Sequence, residues 1–397
     1  MGYVDGVAAG TEGRQGGQYR RDGFTWAAFG ALGGFGFLNA ILGPALPYIR
    51  ALEHISYVVG AAHQVAFAVG GGLAGLFAAR VKGRLGRAVT IRLGLVAAAV
   101  AGLGVGYGGQ AAVTVVSALF VSLLGTSALI RLWAALSDAH AERRTVAMTE
   151  GEVSVSLGGI VAPLLVGGLA GTALGWRFAF VVGAAIVILT AAATAYVGIP
   201  VWLPNPSPGT AGTSTRSGWL TPTLVVVFAV VALEFSLSFW LASYLNDSVG
   251  LPRTVAAAMV AGLYAANLGG RLVASRPAHR MTAARLLAVS IGVGLAGMPI
   301  LLAATDAAEA SVGIALVGVG IGATFPLTSS LHVAASSGPA DTAVGQVLVV
   351  AAIGQILGPS IVAGIAQTAG LRIGLLILPT LALLAAGALA RHHANTR

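Results

Sequence analysis

The sequence predicts an all-α integral membrane protein with twelve transmembrane helices in two six-helix halves. Three observations carry this: charge is scarce, long apolar runs recur, and the chain repeats itself at an offset of 196 residues.

Of 397 residues, 57% are hydrophobic and 9% charged, with a mean hydropathy of +0.88. Soluble domains carry about 25% charged residues, so this chain cannot coat a water-facing surface. In lipid, only helices and closed barrels satisfy every backbone group, and the apolar runs are too long for barrel strands of about 10 alternating residues. The absence of cysteine excludes a disulfide scaffold, a thiolate metal site and a cysteine nucleophile.

Residues 1–23 are Gly-rich and polar with no apolar signal core, and are expected to form a disordered cytoplasmic tail. A span needs about 20 mainly apolar residues. The first half, 24–199, supplies six: Phe24–Ile49, His54–Ala79, two helices within the charge-free Leu93–Ile130 broken at Gly104–Gly109, Val153–Trp176 and Phe178–Ile199. Residues 200–218 are rich in Pro, Ser, Thr and Gly and form a linker. The second half, 219–391, holds six more runs near 220–245, 251–275, 284–305, 310–333, 342–368 and 372–390, and 392–397 form a short tail.

An even number of spans puts both termini on one side. That side receives 17 of the 22 basic residues, the other side only Arg50, Arg177, Arg253 and Arg372, and Arg131 lies within the fourth span. The positive-inside rule therefore places the termini in the cytoplasm. The net charge of +9 faces anionic lipid headgroups, and no nucleic-acid partner is expected.

The repeat aligns the halves. Tyr48 falls on Tyr244, Ala78, Arg80 and Arg84 on Ala274, Arg276 and Arg280, Pro163 on Pro359, and Gly168 on Gly364. With a one-residue slip, Arg177 meets Arg372.

With these features the chain resembles the major facilitator superfamily (MFS) along almost its whole length. The loop after the second span, Gly75–Arg87, is similar to that family's Gly/Asp/Arg-rich motif in Arg80, Arg84, Gly86 and Arg87, with Gly83 where an acid is usual. The fifth span carries Gly158–Gly168, similar to the Gly-Pro motif of the family's exporters through Pro163, Gly167 and Gly168; Ala162 replaces a glycine. Gly358 and Pro359 are the counterpart in the eleventh span, and the corner Gly175-Trp-Arg-Phe178 is also typical. The resemblance implies the MFS fold and a secondary transporter working by alternating access in the cytoplasmic membrane. It implies a monomer whose partners are a small-molecule substrate, protons and lipid. Export of a small organic molecule is slightly favoured over uptake of a polar or anionic solute.

Glu234 is the sharpest site candidate. It stands midway along the seventh span, 17 uncharged residues after Arg216 and 12 before Asp247. An ionisable group at that depth costs about 3 kcal/mol or more and usually faces a cavity. It is expected to carry protons or bind substrate; the alternative is a permanent structural tie. Arg131, with Glu150 and Glu152 opening the next helix at similar depth, is expected to form an ion pair or to bind an anion. Asn39, His63, Gln64, Trp240, Asn267, Gln346 and Gln355 are further polar candidates for the cavity wall, each alone more often a helix–helix bond. No phosphate-binding Gly-x-x-x-x-Gly-Lys loop occurs, so ATP does not drive this chain by itself. No metal or cofactor is expected. The competing class, a membrane-embedded enzyme or receptor, lacks a cluster of His, Asp or Ser of ligand quality.

Overall fold

The computed structural model describes residues 20–78, 86–199, 221–277, 280–336 and 340–395, the side chains of residues 78, 142, 340 and 341 excepted. Among the described residues, twelve helices are long and apolar enough to cross a membrane. They are α1 (Gly23–Glu53), α2 (Tyr57–Phe77), α3 (Arg87–Tyr107), α4 (Ala111–Ala139), α5 (Arg144–Ala170), α6 (Phe178–Val197), α7 (Pro222–Asp247), α8 (Arg253–Ser275), α9 (Ala283–Ala303), α10 (Ala307–Ala335), α11 (Thr342–Ala369) and α12 (Leu371–Asn395). The linker 200–218, most of the N-terminal tail, and Arg80, Gly83 and Arg84 lie outside the described residues.

Several helices outrun their apolar cores. The apolar run places the start of α3 near Leu93, the end of α4 near Ile130 and the start of α5 at Val153, whereas these ends fall at Arg87, Ala139 and Arg144. A charge ends an apolar run but not a helix, because the long stems of Arg and Glu reach out to water from a helix that continues. Some helix starts are capped by short polar side chains. Asp22 Oδ1 accepts from Thr25 N at 2.8 Å, Thr221 precedes Pro222 at the start of α7, and Asp306 accepts from Ala308 N and Glu309 N at the start of α10. Each replaces a partner that the first turn of a helix lacks.

Prolines bend two of the helices. α1 is two segments meeting at Ile41, ahead of Pro44, and α10 is two segments meeting at Ala323, ahead of Pro326. A proline removes the N–H owed to the carbonyl four residues earlier and its ring crowds that carbonyl.

Helices α1–α6 and α7–α12 form the two halves, and the repeat has structural content. Arg177 Nε donates to Gly106 O at 3.1 Å at the end of α3. Its counterpart Arg372 donates from Nη2 to Ala304 O at 2.9 Å at the end of α9. In both halves one arginine satisfies the last carbonyls of the third helix, where a cation complements the helix dipole. The halves meet through α5 on α8, α2 on α11 and the second segment of α1 on α7. Two glycines set how closely. A Cβ on Gly43 would lie 2.6 Å from Ser238 O, and one on Gly167 2.5 Å from Thr254 O. Small residues are what let membrane helices approach so nearly.

Candidate functional site

A cavity of about 140 Å³ lies between the halves, walled by α1, α2, α7, α8 and α10. At about 30 Å³ per water, that is room for a few waters or a small polar group. On α1, Asn39 is exposed while the five residues before it are buried, because its side chain points into this space. Gln64 enters from α2, 6% exposed, with its Nε2 unpartnered among the described residues. From α7 come Glu234 and Ser238, one turn apart, and from α8 Tyr264 and Asn267. The i, i+3 and i, i+4 spacings put each pair on one helix face.

Glu234 Oε1 accepts a hydrogen bond from Asn267 Nδ2 at 2.9 Å. The Tyr264 hydroxyl lies beside Ser238 and Glu234. One turn beyond Asn267, Arg271 is close enough for its charge to act on Glu234. Arg271 is held by the bend in α10: its Nε donates to Gly322 O at 2.9 Å. Within the helix that carbonyl would take its hydrogen bond from residue 326, which is proline and has none to give. The Arg271 Nη1 also lies 3.8 Å from Glu152 Oε2 across the halves. A polar line therefore runs Glu234, Asn267, Arg271, Glu152 from the cavity towards the face that carries the chain termini. The cavity wall itself contains one acid and no Arg or Lys.

Four sequence candidates, Asn39, Gln64, Glu234 and Asn267, thus converge on one space. Others are elsewhere. His63 is fully buried and bonds Gly60 O and Thr114 Oγ1. Trp240 is likewise buried, its indole Nε1 donating to Pro359 O at 3.0 Å and tying α7 to α11. Gln346 Oε1 lies 3.2 Å from His332 Nε2, whose Nδ1 lies 2.7 Å from Thr223 Oγ1. Gln355 is half-buried on α11, outside the cavity wall. His63, Trp240 and Gln346 are helix ties in this structure, their polar atoms taken up by neighbouring helices, and Gln355 is absent from the cavity lining.

The expected pairing of Arg131 with Glu150 or Glu152 is not made in this structure. Glu150 is bound by Arg21, whose Nε lies 2.9 Å from Oε2, and Glu152 by the more distant Arg271. Arg131 reaches only the Ser127 carbonyl of its own helix at 3.5 Å, and its Nη2 is buried without a partner among the described residues. Since α5 begins at Arg144, its acids sit a turn or more inside the helix and are taken by cations of other elements.

The motif residues act in packing where they are described. Arg87 Nη1 meets Asp138 Oδ2 at 2.8 Å, joining the start of α3 to the end of α4, and Gly86 precedes α3 with open space around it. Pro163 lies inside α5, Gly167 touches α8, and Gly168 has open space beside it. A Cβ on Gly358 would lie 2.5 Å from Ala232 O, so α11 and α7 cross there, next to Pro359.

Sequence reasoning missed Tyr264 and Arg271, the latter being counted with the terminal-face charges. The signal for Arg271 was Pro326, which frees a buried carbonyl that needs a donor. It also missed a clamp on the far face. Arg50 Nη1 and Tyr57 Oη both bond Asp247 Oδ2, at 2.9 and 2.8 Å, and the guanidinium carbon lies 3.7 Å from the Tyr57 ring centroid.

Solved structures share this architecture at low sequence identity. A bacterial homologue of the human lysosomal transporter Spinster, inward-facing and occupied, has a TM-score of 0.75 at 18% identity, over 94% of this chain and 97% of that one. The nucleoside transporter NupG has a TM-score of 0.76 at 11% identity, over 93% and 99%. A D-xylose–proton symporter has 0.69 at 13% identity, over 92% and 96%. No curated protein matches the sequence. The model of the Major Facilitator Superfamily matches residues 28–359, and the chain belongs to that superfamily of membrane transporters.

Proposed function

We propose that this chain is a proton-coupled secondary transporter of the cytoplasmic membrane that moves a small neutral or cationic organic solute, with Glu234 as the proton carrier. The observation that carries the reading is the position of Glu234: among the described residues, the one carboxylate on the wall of the cavity between the halves, held by Asn267 at 2.9 Å. A mid-membrane acid is retained where a cavity or a moving proton compensates its cost. The wall without Arg or Lys favours a neutral or cationic solute over an anionic one, since an anion there would meet Glu234 without a compensating cation in contact. One of the similar structures is a proton symporter by its description, which supports coupling to protons. The Pro163–Gly168 element supports export.

In this reading the halves, 24–199 and 219–391, rock about the cavity, joined by a cytoplasmic linker at 200–218, with both termini in the cytoplasm. Protonated, Glu234 loses its charge, and the charge-assisted bond from Asn267 weakens to a neutral one. Solute binds against the polar stripe of Asn39, Gln64, Ser238 and Tyr264. Alternating exposure of the cavity then exchanges proton for solute. The protein works as a monomer in contact with lipid.

The test is pH-gradient-driven flux in proteoliposomes. Glu234→Gln keeps the size and hydrogen bonding of the side chain while removing its proton chemistry. It is expected to abolish accumulation driven by the gradient while leaving solute exchange intact. Undiminished pH-driven accumulation in that variant would overturn the role given to Glu234.

A further inference from the structure

Away from the cavity, at the far face of the first half, three side chains from three helices meet. His63 of α2 is 0% exposed; its Nε2 lies 2.9 Å from Thr114 Oγ1 of α4, and its Nδ1 lies 3.1 Å from Gly60 O. Thr114 Oγ1 is also 3.2 Å from Glu53 Oε2, in the last turn of α1. An acid at a helix C-terminus opposes the helix dipole, so α1 alone gives no reason for Glu53 to stand there. Thr114 sits in the first turn of α4, after Gln110, where the dipole is positive and the carboxylate is tolerated.

Counting hydrogens shows what this cluster needs. A backbone carbonyl only accepts, so the Nδ1 facing Gly60 must carry a hydrogen. If the imidazole is neutral, Nε2 is then an acceptor and requires the Thr114 hydroxyl hydrogen. Thr114 has one hydrogen, for which the Gln110 and Ala111 carbonyls, each 3.2 Å from its Oγ1, also compete; given to either of them, it leaves both Nε2 and Glu53 Oε2 opposed to Oγ1. Given to Nε2, it leaves Thr114 Oγ1 and Glu53 Oε2 facing each other as two acceptors; given to Glu53, it leaves Nε2 and Oγ1 opposed in the same way. One added proton removes the conflict. On Nε2 it donates to Oγ1 while Thr114 donates to Glu53; on Glu53 it donates to Oγ1 while Thr114 donates to Nε2. The two arrangements contain the same number of protons, so the site is a property of the group and not of either residue.

We infer that His63, Thr114 and Glu53 form a second proton-binding site, separate from Glu234, that holds one shared proton and ties the end of α1 to α2 and α4. Other charges nearby are accounted for. Arg50 and Asp247 pair with each other, and Tyr57 bonds Asp247. Arg177, bound through Nε to Gly106 O, acts on Glu53 from the start of α6. From α3, Tyr107 lies under the Arg177 guanidinium, with 5.9 Å to its ring centroid. The α11 span packed on α2 contains no Asp, Glu, His, Lys or Arg, and presents Gln367 to the Tyr57 N–H. His54, in the left-handed conformation after Glu53, is exposed. Because α1 also carries Arg50, occupancy of this site acts on the segment that clamps the two halves together.

The experiment follows the folding equilibrium by SDS titration of the purified protein in micelles across acidic to alkaline pH. Glu53→Gln supplies a permanent amide hydrogen to Thr114 and needs no added proton. Between the ordinary carboxylate range, about pH 4, and the pH at which the folded cluster gives up its proton, it is expected to gain stability relative to wild type with rising pH, by about tenfold in the folding equilibrium per pH unit, the signature of one proton fewer bound in the folded state. A gap that does not change with pH overturns the inference. Thr114→Val, which removes the shared hydroxyl, is expected to lose the same pH-dependent component, and Thr114→Ser to keep it. Loss in both or retention in both also overturns it. Glu234→Gln, tested alongside, is expected to leave the difference between wild type and Glu53→Gln unchanged.

Discussion

Asp247→Ala should weaken the hold between the two halves on the far face. In the structure Asp247 Oδ2 accepts from Arg50 Nη1 at 2.9 Å and from Tyr57 Oη at 2.8 Å, so one carboxylate of α7 anchors the ends of α1 and α2. The Arg50 and Asp247 side chains are 16% and 30% exposed, so solvent screens the pair partly but not fully. A hydrogen bond to a charged group contributes about 1.5–3 kcal/mol when well shielded, and an exposed ion pair about 0.2–1 kcal/mol. Two bonds of intermediate exposure give about 1–3 kcal/mol in total. If they exist only in the arrangement closed on the far face, their loss shifts the balance of arrangements by about 5- to 150-fold. Spin labels at Leu52 on α1 and Val255 on α8, both exposed positions, report the separation of the halves as a distance distribution. The expected result is a longer-distance population that grows by that factor in Asp247→Ala. A distribution identical to wild type would show that the clamp does not hold the halves, and that Gly43 and its neighbours set the closure instead.

Other outcomes follow from the same packing. Gly43→Val should prevent the close crossing of α1 and α7, because even a Cβ there would lie 2.6 Å from Ser238 O; the Leu52–Val255 distance should lengthen, and transport in proteoliposomes should fall. Arg271→Ala should leave Gly322 O buried without its donor, a loss of about 1–3 kcal/mol measurable by SDS titration. Adding Pro326→Ala restores a backbone N–H in register with that carbonyl and should recover part of the loss, whereas additive losses in the double mutant would show that the carbonyl is not the issue.

The class, the helix count and the pairing of the halves were legible because each rests on a long-range regularity of composition: charge spacing sets the spans, and a fixed offset sets the repeat. Glu234 was legible because an isolated acid within 29 flanking uncharged residues has few places to go. Partners were not legible in the same way. The register of one helix against another is decided by packing at the scale of a single turn, and sequence distance carries no record of it. So Glu152, expected beside Arg131, meets Arg271 instead, and His63, expected at the cavity, turns to the other side of α2, towards Thr114, which also meets Glu53.

The two kinds of information meet at Pro326. The proline is visible in the sequence, and elementary chemistry says that the carbonyl of Gly322 is left without its helical partner. In water the loss is trivial; inside a membrane protein it obliges some other helix to bring a donor. The sequence therefore specifies a demand and leaves open who meets it. Arg271 meets it, from α8, and in doing so is fixed one turn from Asn267, which holds Glu234. A backbone defect in α10 thus sets the electrostatic surroundings of the acid in the cavity, although no pattern in α7 itself reveals the connection. The bend and the acid are linked through one arginine: straightening α10 would remove the Gly322 acceptor, one of the two partners that hold Arg271 in place beside Asn267.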